Sequence, residues 1–205
     1  MTRVDVEASG RLVVPDDAMG VVVFVHGSGS SSRSPRNRFV AGELGAAGLG
    51  TLLFDLLTPE EEADRANVFD IELLAGRLLR ATARVREEPA AMGLPIGYFG
   101  ASTGAAAALW AAAEPDADVA AIVSRGGRPD LAGSRLAAVR APTLLVVGGH
   151  DEQVVELNQQ ARRLLRCESR LEIVPGATHL FEEPGALESV AGLAGDWFAG
   201  HFTGR

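Results

Sequence analysis

Apolar residues along this chain gather in short continuous runs rather than in strict alternation. Arg11–Val14, Val21–Val25, Thr51–Phe54, Ile96–Phe99, Ala120–Val123, Thr143–Val147 and Leu171–Val174 read as β-strands. Most are apolar at successive positions, the pattern of strands covered on both faces, as in a parallel sheet between two helix layers. Between them the period changes to that of a helix. Val68, Ile71, Leu74, Ala75, Leu78 and Val85 recur at helical spacing, with Asn67 placed to cap and Asp70 in the first turn. Val154, Leu157, Ala161, Leu164 and Leu165 form a second stripe, and Leu187, Val190, Ala191, Ala194 and Phe198 a third, opened by Pro184. Thr103–Ala113 is nearly all alanine, which suits a helix packed close to a sheet. Ser28–Arg38 has no clear period; it is rich in Ser and Arg, follows a strand and reads as a functional loop. This alternation predicts right-handed βαβ crossovers and an α/β fold: one doubly wound, mostly parallel sheet with helices on both faces. A single domain over residues 1–205 is expected, with no insertion large enough for a separate cap domain.

Composition narrows the chemistry. The net charge of −8 argues against nucleic acid or an anionic membrane surface as partner. No apolar run approaches the roughly 18 residues of a membrane helix, and Met1–Gly10 lacks a basic segment followed by an apolar one. A cytoplasmic protein is the expectation. All 19 basic residues are arginine. Schiff-base chemistry, a Ser–Lys dyad and a phosphate loop ending in lysine therefore fall away. The single cysteine, Cys167, allows no internal disulfide and reads as packing. Neither a metal-ligand cluster nor a dinucleotide-binding glycine fingerprint is visible, so no metal or other cofactor is expected.

The run Gly100-Ala101-Ser102-Thr103-Gly104 matches G-x-S-x-G between a strand and a helix, the setting in which that motif makes an exposed nucleophile. The Thr103 N–H, at the helix start, then faces a developing oxyanion. A serine needs a base. Of the four histidines, His179 lies in a loop after the last strand and before the last helix. His26 begins His26-Gly27-Ser28-Gly29, a loop suited to supply a second oxyanion N–H from Ser28, and itself orders that loop. His150 adjoins Asp151, and His201 sits in an expected exposed tail. Asp151 leaves a buried strand through two glycines and suits the third role, fixing the tautomer of the base. It also stands where an N-cap for the following helix would stand. Asp130, after the preceding strand, is the second choice of acid.

The order Ser102, Asp151, His179, each behind a different strand, resembles the α/β-hydrolase superfamily. Within it the chain is similar to small dienelactone-hydrolase-like serine hydrolases over nearly its whole length. The resemblance implies the α/β-hydrolase fold, Ser102 as nucleophile, His179 as base, Asp151 as acid, and the N–H groups of Ser28 and Thr103 as oxyanion hole. Dienelactone hydrolases proper carry a cysteine at the elbow, where this chain has Ser102. A carboxylic-ester hydrolase acting on a small molecule is therefore the expectation. An acyltransferase or thioesterase would use the same triad, and a non-catalytic hydrolase-like binding protein the same fold. A monomer or small homo-oligomer is expected.

Five arginines remain. Arg33, Arg36 and Arg38 lie in or after the first loop, and Arg125 and Arg128 follow the Ala120–Val123 strand. Arg33, Arg36 and Arg125 are candidates to hold an anionic substrate group, since guanidinium forks match carboxylate or phosphate. The alternative is a set of solvated loop arginines, some paired with Glu60, Glu61 or Asp130.

Overall fold

The computed structural model describes residues 2–6 (the backbone only for 3–6) and 10–203. Eight strands form one sheet: β1 (Thr2–Val6), β2 (Gly10–Val14), β3 (Val21–Val25), β4 (Gly50–Leu53), β5 (Ile96–Ala101), β6 (Ala121–Arg125), β7 (Thr143–Gly148) and β8 (Ser169–Val174). Their spatial order is β1-β2-β4-β3-β5-β6-β7-β8. β1 and β2 run antiparallel at one edge, and all pairs from β4 to β8 are parallel. This is the α/β-hydrolase fold foreseen above, with β1 as an added edge strand.

Helices α1 (Pro35–Ala46) and α7 (Ala186–Phe202) cover one face of the sheet. Their Val40, Leu44, Val190 and Phe198 pack against Val22, Phe24, Phe99 and Val123. The other face carries α4 (Ile71–Glu87), α5 (Thr103–Ala112), a 3-10 segment (Pro129–Ala138) and α6 (Glu152–Leu164). Leu74, Leu78 and Leu109 meet Val21, Val23 and Ile122 there. Alternate residues of one strand thus enter different cores, which is why the strands read as unbroken apolar runs. Tyr98 is fully buried and shares a 2.9 Å hydrogen bond with Thr82. Burial pushes its phenol up to about 12, so the hydroxyl stays neutral.

Several boundaries differ from the sequence reading. The Ser28–Arg38 loop ends early: Ser34 caps α1, which begins at Pro35 and carries Arg36 and Arg38. Asn67 does not cap α4; it lies in the short α3 (Arg65–Phe69), and Asp70 is the cap, accepting the N–H of Leu73. A four-residue α2 (Pro59–Glu62) precedes them. Pro184 lies just ahead of the Gly185 cap of α7, near its first turn. β6 runs on to include Arg125, which is a strand residue and not a loop one. His201 is no tail residue; it sits on α7 and stacks on Trp197 at 4.4 Å.

Candidate active site

Ser102 follows β5 with φ 50° and ψ −122°, a backbone that L-residues rarely adopt and that costs about 1–3 kcal/mol. The turn is held from both sides. Its N–H donates to the Arg125 carbonyl at 3.2 Å, and its own carbonyl accepts from Ala105 and Arg128, each at 3.1 Å. Close approach of chain to chain explains two glycines here. A Cβ at Gly104 would stand 2.1 Å from the Val25 carbonyl oxygen, and one at Gly27 would stand 2.9 Å from the Ser102 Cβ. Ser102 occupies the N-cap position of α5, yet its side chain makes no capping bond.

Asp151 occupies the N-cap position of α6, and it too makes no capping bond. Its Oδ2 instead accepts from His179 Nδ1 at 2.6 Å. The position the sequence assigned to either role is used for the histidine. With the proton on Nδ1, the Nε2 of His179 is left as an acceptor, the state a general base requires. The His179 loop rests on the end of β7, where a Cβ at Gly148 would meet the carbonyls of Ala177 and Thr178 at 2.5 Å. Two residues that sequence reasoning missed hold the loop. Glu183 accepts from the Thr178 hydroxyl at 2.7 Å and from its N–H at 3.1 Å. These bonds keep its carboxyl below the ordinary glutamate range. Phe181 has φ 55° and is 1% exposed. Burying its ring contributes about 1.5–3 kcal/mol, enough to offset the roughly 1–2 kcal/mol of a left-handed residue. Neither residue has a sequence signature.

Ser102 and His179 each stand against the end of β6. The Arg125 carbonyl holds the Ser102 N–H, and the His179 ring lies over the next residue, its Cε1 3.5 Å from where a Cβ at Gly126 would sit. Among the described residues no hydrogen bond joins Ser102 to His179; such contacts commonly tighten only with substrate bound. Asp130 is not near this pair in function: it accepts two bonds from Arg128, at 2.9 and 2.8 Å. His150 is exposed. His26 is 6% exposed; its Nε2 accepts the Leu56 N–H at 3.0 Å and its Nδ1 faces the Gly27 carbonyl at 3.1 Å. It orders its loop, as expected. The Ser28 N–H donates to Thr103 Oγ1 at 2.9 Å, so the two residues expected at the oxyanion hole touch each other.

The arginines divide. Arg33 and Arg38 are exposed on a groove of about 970 Å³ between α1 and the β2–β4 edge, lined also by Val13, Leu53 and Asp55. Arg36 faces the His179 loop, where Nη1 bonds Glu182 at 2.9 Å. Arg125 is 8% exposed, and its buried Nε and Nη1 have no hydrogen-bond partner among the described residues. Burial, and then the charge of Arg36, hold its guanidinium down to about 10, still charged at neutral pH. Cys167 is half-buried with Sγ 3.8 Å from Thr143 Oγ1, and burial raises its thiol, as befits a packing residue.

No model of a known protein family matches the chain. Its backbone superposes on dienelactone hydrolase from Anabaena variabilis over 98% of both chains, with TM-score 0.92 and 54% identity. The chain belongs to the dienelactone hydrolase family. Est1E from Butyrivibrio proteoclasticus shares the fold of this dienelactone-hydrolase-like chain at TM-score 0.79 and 15% identity, over 98% of each. Two curated proteins from two strains of Mycobacterium tuberculosis, each named "putative phosphoribosyl transferase", are 62% identical over 97% of this chain. The chain spans 45% of their length. Among the described residues no helix is long and apolar enough to cross a membrane.

Proposed function

We propose that this protein is a serine hydrolase that cleaves a carboxylic ester of a small molecule through an acyl-enzyme. The observation that carries this reading is the 2.6 Å bond from His179 Nδ1 to an Asp151 that has forgone capping its helix. His179 Nε2 takes the proton of Ser102 as its oxygen attacks the carbonyl carbon. The tetrahedral oxyanion is met by donors at the start of α5 and in the His26–Gly29 loop. His179 then protonates the departing alcohol, and a water, activated by the same nitrogen, releases the acid. The transferase name of the longer relatives belongs to proteins of which this chain spans 45%; we assign the hydrolase chemistry to the shared part.

The substrate in this reading bears a carboxylate. Arg36 is paired with Glu182, whereas the buried Nε and Nη1 of Arg125 have no hydrogen-bond partner among the described residues, and a guanidinium with two unused nitrogens suits a planar anion. Arg33 faces the groove instead and takes no part. The test compares 4-nitrophenyl hydrogen succinate with its methyl ester. The anionic ester is expected to give the higher kcat/KM, and Ser102→Ala is expected to lower turnover of both by several orders of magnitude. A folded Ser102→Ala protein hydrolysing at the parent rate would refute the assignment.

A further inference from the structure

The residue after the nucleophile carries a side chain that the mechanism above leaves unused. Thr103 opens α5 and is 3% exposed. Its Oγ1 accepts the backbone N–H of Ser28 at 2.9 Å, across 75 positions of sequence. The amide best placed to serve the oxyanion from the second loop is therefore already engaged. A hydroxyl that accepts one hydrogen bond still has its own hydrogen to give. Deeper in a helix, a threonine spends that hydrogen on a carbonyl of the preceding turn. At the first helical position there is no preceding turn. Thr103 Oγ1 donates to no oxygen among the described residues.

We propose that the Thr103 hydroxyl is itself an oxyanion donor: Ser28 N–H donates to Oγ1, and Oγ1–H donates to the carbonyl oxygen as it becomes negative. The Thr103 N–H, one of the unpaired amides of the helix start, supplies the other bond. No proton changes hands; both remain hydrogen bonds, and the amide behind the hydroxyl polarises it toward donation. The placement is rigid. The Gly27 backbone abuts the Ser102 side chain, and Gly104 is wedged against the carbonyls of Val25 and His26. Loop and helix start cannot shift independently, which is the pre-organisation an oxyanion donor needs. The inference rests on the serine-hydrolase reading and goes one step past it, because a side chain now replaces the Ser28 amide at the reacting oxygen.

Thr103→Val keeps the shape and removes the hydroxyl, whereas Thr103→Ser keeps the hydroxyl and removes a methyl. With 4-nitrophenyl acetate and the full chain, Thr103→Val is expected to lower kcat about a hundredfold or more, the loss typical of one oxyanion donor. KM should stay within about twofold, and Thr103→Ser should return kcat to within about tenfold of the parent. Thermal melting of each variant reports whether it is folded. If folded Thr103→Val keeps or exceeds the parent kcat, the Ser28 amide serves the oxyanion directly and the hydroxyl only occupies it, which overturns the proposal. A raised KM with unchanged kcat, or a serine variant as impaired as the valine, does the same. The two readings fail separately. An active Ser102→Ala protein removes the hydrolase reading, whereas a dead Ser102→Ala protein beside a fully active Thr103→Val protein removes only the hydroxyl.

Discussion

Among the described residues, six helices begin behind a residue whose side-chain oxygen is able to cap them, and they fall into two groups. At α1, α2, α3 and α4 the oxygens of Ser34, Thr58, Asp64 and Asp70 accept a backbone N–H of the first turn. Thr58 even forms the reciprocal pair with Glu61. At α5 and α6 the side chains of Ser102 and Asp151 accept none. The first group lies ahead of β5 in the chain; the second follows β5 and β7, at the carboxyl edge of the central strands. Backbone geometry explains part of the contrast. A capping residue holds an extended backbone that folds its oxygen over the first turn, whereas Ser102 at φ 50° does not. Asp151 is diverted by the imidazole of His179. Each cap forgone leaves about 1 kcal/mol unrealised, and that loss falls on the two residues to which the proposed function assigns chemistry.

The contrast is open to direct attack. Asp151→Asn should have the largest effect, lowering kcat about 10⁴-fold by removing the partner that fixes the tautomer of His179. Its unfolding free energy, read from urea titration, should move by less than about 1 kcal/mol, because no cap is lost. A destabilisation as large as that of a true cap would erase the distinction between the groups. Glu183→Gln should act on an intermediate scale, lowering kcat roughly tenfold through a loosened His179 loop. The pH dependence has a definite sign. The Thr178 bonds depress the folded-state pKa of Glu183 below its unfolded value. The clamp is therefore complete above the unfolded pKa and is lost as pH falls through the lowered one. Hydrogen exchange at the Thr178 amide in acid, compared with the variant, reads this out; equal protection in both proteins would remove Glu183 from the account. Asp70→Ala is the smallest case. It should cost about 1 kcal/mol of stability and leave kcat/KM unchanged, and any loss of turnover would carry the functional set beyond the catalytic edge.

The same contrast explains what could be read in advance. Val21–Val25 and Thr143–Val147 were legible because both faces of those strands are buried, which leaves an apolar signal at every position. Ser102, Asp151 and His179 could be put forward from the sequence because each follows a recognisable strand. Helix α1 was not legible, although Ser34-Pro35 is a regular cap and first position. Its buried face is Asn37, Val40, Ala41 and Leu44, too polar and too small to stand out. A sequence cannot say whether an aspartate ahead of a helix caps it or turns away, since both roles select the same residue; only the 2.6 Å contact of Asp151 decides. Nor does sequence reveal that Glu183 folds back on Thr178, or that β6 carries Arg125 into the interior with Nε and Nη1 unbonded among the described residues.

The wedge of Gly104 against Val25 bears on how such proteins change over generations. A side chain at that glycine would need room where the Val25 oxygen stands, 2.1 Å away, and the neighbouring Gly100 is closed off in the same manner, its Cβ position 2.5 Å from the Ala105 Cα. The turn that carries Ser102 is thus protected by backbone, while the identity of the residue on it is not. Exchanging the Ser102 oxygen for sulfur replaces one atom and moves no main chain. A serine-to-cysteine exchange on that turn is therefore sterically simple, whereas any side chain at Gly100 or Gly104 would require the main chain to move.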